Sequence, residues 1–315
     1  MVTLFHPTAI HKRWVFVLNG VFLLSMLILS SVRSYLQIHA DLNASLYLER
    51  NFYGVVSVRE LGDPGSSSDR YALVHGVTIH GYQFSIGELR DFPTSYYGET
   101  GGGGLAILNH PNRGHAMRVG VLGLGVGTLA AYGQPGDIYR FYEINPLVIQ
   151  LAEGQGGYFS FLADSQAKIE IVPGDARLSL EQELASNGSQ NYDVLALDVF
   201  SSDSIPVHLL DREAFDLYMQ HLQPDGILAV HISNIHLDLV PVVWTLADYF
   251  NLSRVVIEDS GLGLKDLPSL WVLLARDPSL IETPTLLSRA RPMDGYVSSV
   301  RLWTDDYSNL FQILK

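Results

Sequence analysis

Residues 117–143, MRVGVLGLGVGTLAAYGQPGDIYRFYE, hold the reading that decides the fold. MRVGVL is a short apolar, β-branched run of the length of a strand covered on both faces. Three glycines, Gly123, Gly125 and Gly127, follow it at once. TLAAYG then reads as a helix and IYRFYEI as a second strand. A strand, a glycine turn, a helix and a strand in that order open a parallel sheet.

Outward from this unit the alternation continues to the C-terminal part of the chain. Helix NPLVIQLAEG precedes strand KIEIVPGDA and helix RLSLEQEL. Strand YDVLALDVF leads into helix HLLDREAFDLYMQHL, and strand GILAVHIS into helix LDLVPVVWTLADYF. Two strands, RVVIEDS and SLWVLLARD, then follow with no helix between them, which predicts an antiparallel final pair. Upstream, NFYGVVSVREL and RYALVHGVTIHGYQF are strand-like runs separated by the turn-forming DPGSSSD, the pattern of a small hairpin subdomain. Gly101–Gly104 reads as a flexible loop, a linker or a lid.

Between Arg13 and Arg33 lie nineteen uncharged residues, WVFVLNGVFLLSMLILSSV. That is close to the ~20 residues that cross a bilayer as a helix. The run is long for a signal peptide and no small-x-small cleavage site follows, so a retained transmembrane helix is expected. The expected organisation is an anchor over 1–40, a β-rich subdomain over 41–115 and a Rossmann-like nucleoside-binding domain over 116–315.

The net charge is −13; residues 1–40 contribute +3 of it, leaving −16 on 41–315. So acidic a body argues against nucleic acid, whose phosphates need clustered Lys and Arg, and suits a cationic small molecule. With no cysteine in the chain, disulfide scaffolds, thiolate nucleophiles and cysteine metal sites are excluded. His75, His80, His110 and His115 have no zinc spacing, so no metal is expected and they read as loop or pocket residues. No GxSxG elbow supports a hydrolase.

The loop Gly123-x-Gly125-x-Gly127 lets backbone approach a ligand and leaves helix N-terminal N–H groups available. A dinucleotide fingerprint would place glycine at position 128, where Thr128 stands, so the spacing fits S-adenosylmethionine-type nucleosides better than NAD. Glu143 ends the second strand, where a carboxylate accepts from both ribose hydroxyls, and Asp175 ends the third, where it accepts from an adenine amino group. Each acid alone also reads as a helix cap. The fourth strand ends in Asp198-Val199-Phe200-Ser201-Ser202-Asp203-Ser204-Ile205-Pro206. An amine attacking carbon beside a sulfonium must first lose a proton, which a carboxylate can take. Asp203 is assigned that role, with Asp198 positioning the amine or the donor. Tyr96 and Tyr97 are candidates to line the amine site by cation–π contact. Asp305 and Asp306 read as a solvated turn.

These elements together resemble the spermidine synthases, the polyamine aminopropyltransferases. NFYGVV, LVHGVTIHGYQ, PTSYYG, VLGLGVG, FYEINP, GDA, the Asp198–Pro206 element and GILAVHIS carry the resemblance over about residues 50–235, closest to the branch in which such a domain follows transmembrane helices. It implies that Glu143 and Asp175 hold the donor's ribose and adenine and that Asp203 is the base. Three departures stand out. The acids are spaced Asp-x4-Asp, two residues longer than in the soluble enzymes. The family's Tyr-His-Glu is Tyr97-Gly98-Glu99, without the His. Its Leu-Asp-Gly-x-x-Gln is Val74-His75-Gly76-Val77-Thr78-Ile79, which leaves Gln83 as the nearest candidate for the donor-contacting Gln.

The expected activity is transfer of an aminopropyl group from decarboxylated S-adenosylmethionine to a diamine such as putrescine, with no permanently bound cofactor and a homodimer left open. A methyltransferase using S-adenosylmethionine and a non-catalytic membrane-tethered sensor of nucleoside or polyamine are the rival readings. The basic flank before the span favours a cytoplasmic N-terminus and hence an external body. The donor is made in the cytosol, and a cytosolic body is the expectation adopted.

Overall fold

Residues 8–76, 78–198, 206–261, 263 and 265–315 are described by a computed structural model. The chain divides at Leu46/Tyr47 into two compact units. Helix α1, Thr8–Ala44, makes up the described part of the first. Its portion Trp14–Ala44 is long and apolar enough to cross a membrane, with mean hydropathy 2.3 and none of that stretch buried. The helix continues past Arg33; at 1.5 Å per residue its 37 residues extend well beyond a ~30 Å hydrocarbon core. Ser25, Ser30 and Ser31 satisfy their hydroxyls by donating to carbonyls one turn back.

In the second unit β1 (Tyr47–Asn51), β2 (Gly54–Leu61), β3 (Arg70–His75) and β4 (Thr78–Phe84) form a four-stranded antiparallel sheet. Along β2 and β3 the inward residues Val56, Val58 and Leu73 join the main core. The small antiparallel sheet expected from the hairpin pattern is thus present.

Residues Gly102–Asn109 form helix α2, and Gly102–Ile107 are buried. This corrects the reading of the glycine tract as a loop, and the reason is steric. A Cβ on Gly102 would lie 2.3 Å from Trp271 Cβ, and one on Gly104 2.4 Å from Tyr132 Oη. Without side chains the helix lies directly on the large sheet against Trp271, and the helical cost of glycine is offset by that close packing.

The large sheet follows: β5 (Arg118–Leu122), β6 (Ile138–Glu143), helix α3 (Pro146–Ala152), the short helix α4 (Phe161–Asp164), β7 (Lys168–Pro173), α5 (Ala176–Asn187), β8 (Tyr192–Leu197), α6 (Arg212–His221), β9 (Leu222–His231), α7 (Val240–Tyr249), β10 (Ser253–Asp259) and β11 (Ser269–Ala275). A last turn, α8, spans Pro284–Leu287. TLAAYG forms only a 3₁₀ turn, Thr128–Tyr132, because the turn Gly133-Gln-Pro-Gly-Asp cuts it short; α2 covers that face instead. The strand order is β10-β11-β9-β8-β5-β6-β7. β9, β8, β5, β6 and β7 run parallel, while β11 is antiparallel to both its neighbours, as the missing helix predicted.

The core lies on both faces of this sheet. On β8, Val194 and Ala196 enter one cluster while Leu195 and Leu197 enter the other. That two-sided alternation is why YDVLAL is almost continuously apolar. The arrangement brings the carboxyl ends of β5, β6, β7, β8 and β9 to one edge, where doubly wound sheets bind ligands.

Candidate active site

The loop after β5 is shaped for close approach. Gly123, Gly125 and Gly127 have φ of 92°, 54° and 82°, which side chains rarely adopt. A Cβ on Gly125 would also stand 2.7 Å from the His80 carbonyl oxygen. Beside this loop opens a cavity of about 280 Å³, lined by Gly123, Gly125, Glu143, Asp175 and Asp198 with Tyr53, His75, His80, Asn145 and His208 among the other walls. Gly127 stands behind it, turning the chain into the 3₁₀ segment.

Glu143 is held by the backbone it follows. Its Oε1 accepts the Asn145 N–H at 2.8 Å and its Oε2 the Leu124 N–H at 3.1 Å. Burial pushes its carboxyl above the ordinary range, the N–H groups of Asn145, Leu124 and Ile144 pull it back, and the charge of Asp198 adds to the rise. Asn145 itself caps α3 through Leu147 N and receives the Asn51 amide at 2.6 Å, tying the β1–β2 turn to this wall.

Asp175 is a cap and a cavity residue at once. One oxygen accepts the Leu178 N–H at 3.0 Å, starting α5, and the other is 3.1 Å from His208 Nε2. The two readings of this residue are therefore compatible.

Asp198 lines the cavity with its side chain 7% exposed. Its Oδ1 lies 2.6 Å from His231 Nδ1, and its Oδ2 accepts the Tyr97 hydroxyl. Burial opposes ionisation, but His231, the Tyr97 hydrogen bond and His80 outweigh it and hold the carboxyl below its ordinary value. Burial first, and then Asp198's charge, push the Tyr97 and Tyr96 hydroxyls well up, so both stay protonated donors. Tyr97 acts on Asp198 from behind the cavity wall, and Tyr96 stacks on His231 with ring centroids 4.7 Å apart.

Other residues singled out by sequence fall elsewhere. Asp203 lies outside the described residues. Gln83 does not line the cavity: it is fully buried, its amide donates to Arg90 O and Ser160 Oγ, and its carbonyl accepts the Ser160 N–H. The carboxamide joins β4 to the segment before α4, which corrects its reading as a donor contact. Where the family's His would stand, a Cβ on Gly98 would meet Asp266 Oδ1 at 2.2 Å, so that space is filled. His110 bonds the Asp225 carbonyl at 3.0 Å and His115 is exposed. Asp305 is no bare solvated turn, since Arg177 donates to both its oxygens at 2.7 and 2.9 Å.

His231 was missed, although the signal stood in the sequence as the one polar residue ending the strand in GILAVHIS. Tyr53 and His208 were missed as well.

The strand order and the cavity at the carboxyl edge are those of a Rossmann-like methyltransferase fold carrying a small N-terminal antiparallel sheet. Spermidine synthases are among the solved structures that share this fold. The spermidine synthase of Thermotoga maritima superposes with a TM-score of 0.53 at 15% identity, covering 84% of this chain and 82% of that one. A spermidine synthase solved in complex with the transition state analogue AdoDATO gives 0.52 at 15% identity, covering 81% of each chain. In sequence, the polyamine aminopropyltransferase of Vibrio vulnificus (strain CMCP6) is 32% identical over 125 residues, 40% of this chain and 40% of that protein. The eEF1A lysine and N-terminal methyltransferase of Xenopus laevis is 33% identical over 105 residues, 32% of this chain and 14% of that protein. The chain thus matches well under half the length of either relative. No protein-family model matches it.

Proposed function

We propose that the body is a transferase that moves an aminopropyl group from decarboxylated S-adenosylmethionine to a diamine such as putrescine. The observation that carries this reading is the single cavity that Gly123, Gly125, Glu143, Asp175 and Asp198 share. Three carboxylates there suit a sulfonium nucleoside and an ammonium, both cationic. In the proposed step the amine lone pair attacks the methylene carbon beside the sulfonium. The C–S bond breaks, its electron pair returns to sulfur, and 5′-methylthioadenosine leaves. The amine's proton passes to Asp203, the proposed base, while Glu143 holds the ribose, Asp175 the adenine amino group, and Asp198 the cationic end of the substrate.

A second reading keeps intact S-adenosylmethionine as donor and transfers a methyl group. The engagement of Gln83 with Ser160 and the similarity to the Xenopus methyltransferase favour it. Mass spectrometry of products formed from each donor with a panel of diamines separates the two. An aminopropyl increment on a diamine supports the first reading, and a methyl increment from the intact donor alone overturns it.

We further propose that α1 anchors the chain in a membrane with the body in the cytosol; its length, hydropathy and full exposure support this. Full-length protein should then resist alkaline extraction, and a reporter fused after Lys315 should be active only on the cytosolic side. Release into the supernatant refutes the anchor.

A further inference from the structure

His231 ends β9 at 5% side-chain exposure and is fixed on every side. Its ring lies between Tyr96 and Trp271, with centroids 4.7 and 4.6 Å away and planes 23° and 22° apart. Trp271 is opposite it on β11, and α2 closes on Trp271 at Gly102. Ser233 Oγ accepts the Leu270 N–H at 2.8 Å and stands 2.8 Å from His231 Nε2, so its hydroxyl hydrogen is available to that nitrogen. The hydrogen on Nδ1 then points at Asp198 Oδ1, 2.6 Å away. A ring so clamped cannot turn to exchange a proton with the cavity, which it does not line.

We propose that His231 is a positioning residue: with Tyr97 it occupies one oxygen each of Asp198, so that Asp198 anchors the cationic end of the substrate and leaves proton uptake to another group. This rests on the transferase reading for its substrate, but not for its geometry. The geometry shows what holds Asp198, which the sequence reading placed only as positioning the amine or the donor. Both oxygens of Asp198 already receive a hydrogen bond, and the residue lines the cavity. Such a carboxylate attracts a cation while making a poor base. The charged or titratable groups that face it are His231 from β9, His80 from β4, Tyr96 and Tyr97 from the segment before α2, and Glu143 from β6.

The test uses the full chain in detergent and two variants that split the ring's contacts. His231→Asn keeps a donor at the Nδ1 position toward Asp198; His231→Gln reaches Ser233 and loses Asp198. Carboxyl-labelled aspartate is followed by carbon-13 NMR against pH, with Asp198→Asn identifying the signal. In His231→Gln the Asp198 midpoint should rise by about one pH unit or more, and His231→Asn should recover most of that shift. Transfer assays should show acceptor KM raised about tenfold to a hundredfold in His231→Gln, the worth of one charge-assisted hydrogen bond, with 5′-methylthioadenosine affinity held. Tyr97→Phe, which removes the donor on the other oxygen, serves if His231→Gln does not fold. An Asp198 midpoint unmoved in His231→Gln, or a His231→Asn no better than it, overturns the proposal. Should the parent transfer nothing, the transferase reading falls, and the titration still decides the role of His231.

Discussion

Replacing Glu143 by Gln is the sharpest probe of the nucleoside end. The carboxylate presents two oxygens that accept the backbone N–H groups of Asn145 at 2.8 Å and Leu124 at 3.1 Å, with the Ile144 N–H beside them. The residue lines the cavity. Gln supplies one carbonyl oxygen and one NH₂, so either Asn145 or Leu124 loses its acceptor and the ligand loses one of two acceptors. Hydrogen bonds to a charged group contribute ~1.5–3 kcal/mol, and neutral ones about 0.5–1.5. Turning one bond neutral and losing most of another removes about 2–3 kcal/mol from binding, or roughly a 30- to 150-fold weaker Kd. Stability should change much less, because the substitution also removes a buried charge whose carboxyl is pushed up by desolvation.

Titration calorimetry with 5′-methylthioadenosine, run beside thermal unfolding, measures both quantities. The pH dependence adds a check on sign. A carboxylate with a raised pKa begins to protonate at a higher pH than usual, so parent affinity should fall as pH drops toward that raised value. The Gln variant should lack this limb. A Kd within about threefold of the parent, ~0.6 kcal/mol, together with a large fall in Tm would show that Glu143 is only a loop staple and refute the reasoning.

Gly104→Ala should destabilise by about 1–3 kcal/mol through overpacking, since its Cβ would meet Tyr132 Oη at 2.4 Å, whereas Gly103→Ala, at 3.2 Å from Trp271 Cη2, should cost less; unchanged Tm with altered turnover would favour a moving lid. His221 is fully buried, with Nε2 donating to the Leu180 carbonyl and Nδ1 accepting the Gln190 N–H, and burial lowers its pKa. Its stabilisation is therefore complete above the free-histidine value near 6.5 and drains away as pH falls below it, so Tm should drop as pH falls below about 6.5, and His221→Gln should flatten that slope. Asp203→Asn should lower turnover by about 10²–10⁴-fold and leave 5′-methylthioadenosine binding unchanged; turnover within about threefold of the parent would remove it as the base.

How far the sequence could be read follows from the range of each interaction. The parallel sheet was legible because its strands are covered on both faces, so that VGVL and VLAL are marked by composition alone. The antiparallel end was legible from a missing crossover between Ser260 and Pro268. The edge acids Glu143, Asp175 and Asp198 were legible because a strand end is a local feature, and topology then brings all such ends together. The glycine tract was misread for the opposite reason. Glycine signals flexibility to its neighbours in sequence, and only Trp271, far along the chain, makes the same residues a close-packed helix. Gln83 failed likewise: a Gln beside a recognisable motif invites a ligand role, but Ser160 and Arg90 engage its whole carboxamide.

The same contrast explains why the sequence could place Asp198 at the site but not show what holds it. In the chain Asp198 and Asp203 are both acids after one strand, five positions apart, with the same propensity to cap a helix. What distinguishes Asp198 arrives from three remote places: Tyr97 before α2, His80 on β4 and His231 at the end of β9. A carboxylate that others have already supplied with hydrogen bonds is stabilised as an anion, and the stronger that stabilisation, the weaker its pull on a substrate proton. Anchor and base are therefore different duties, and no local pattern shows the contacts that suit a carboxylate to one or the other. The fold supplies that stabilisation by closing three elements around Asp198.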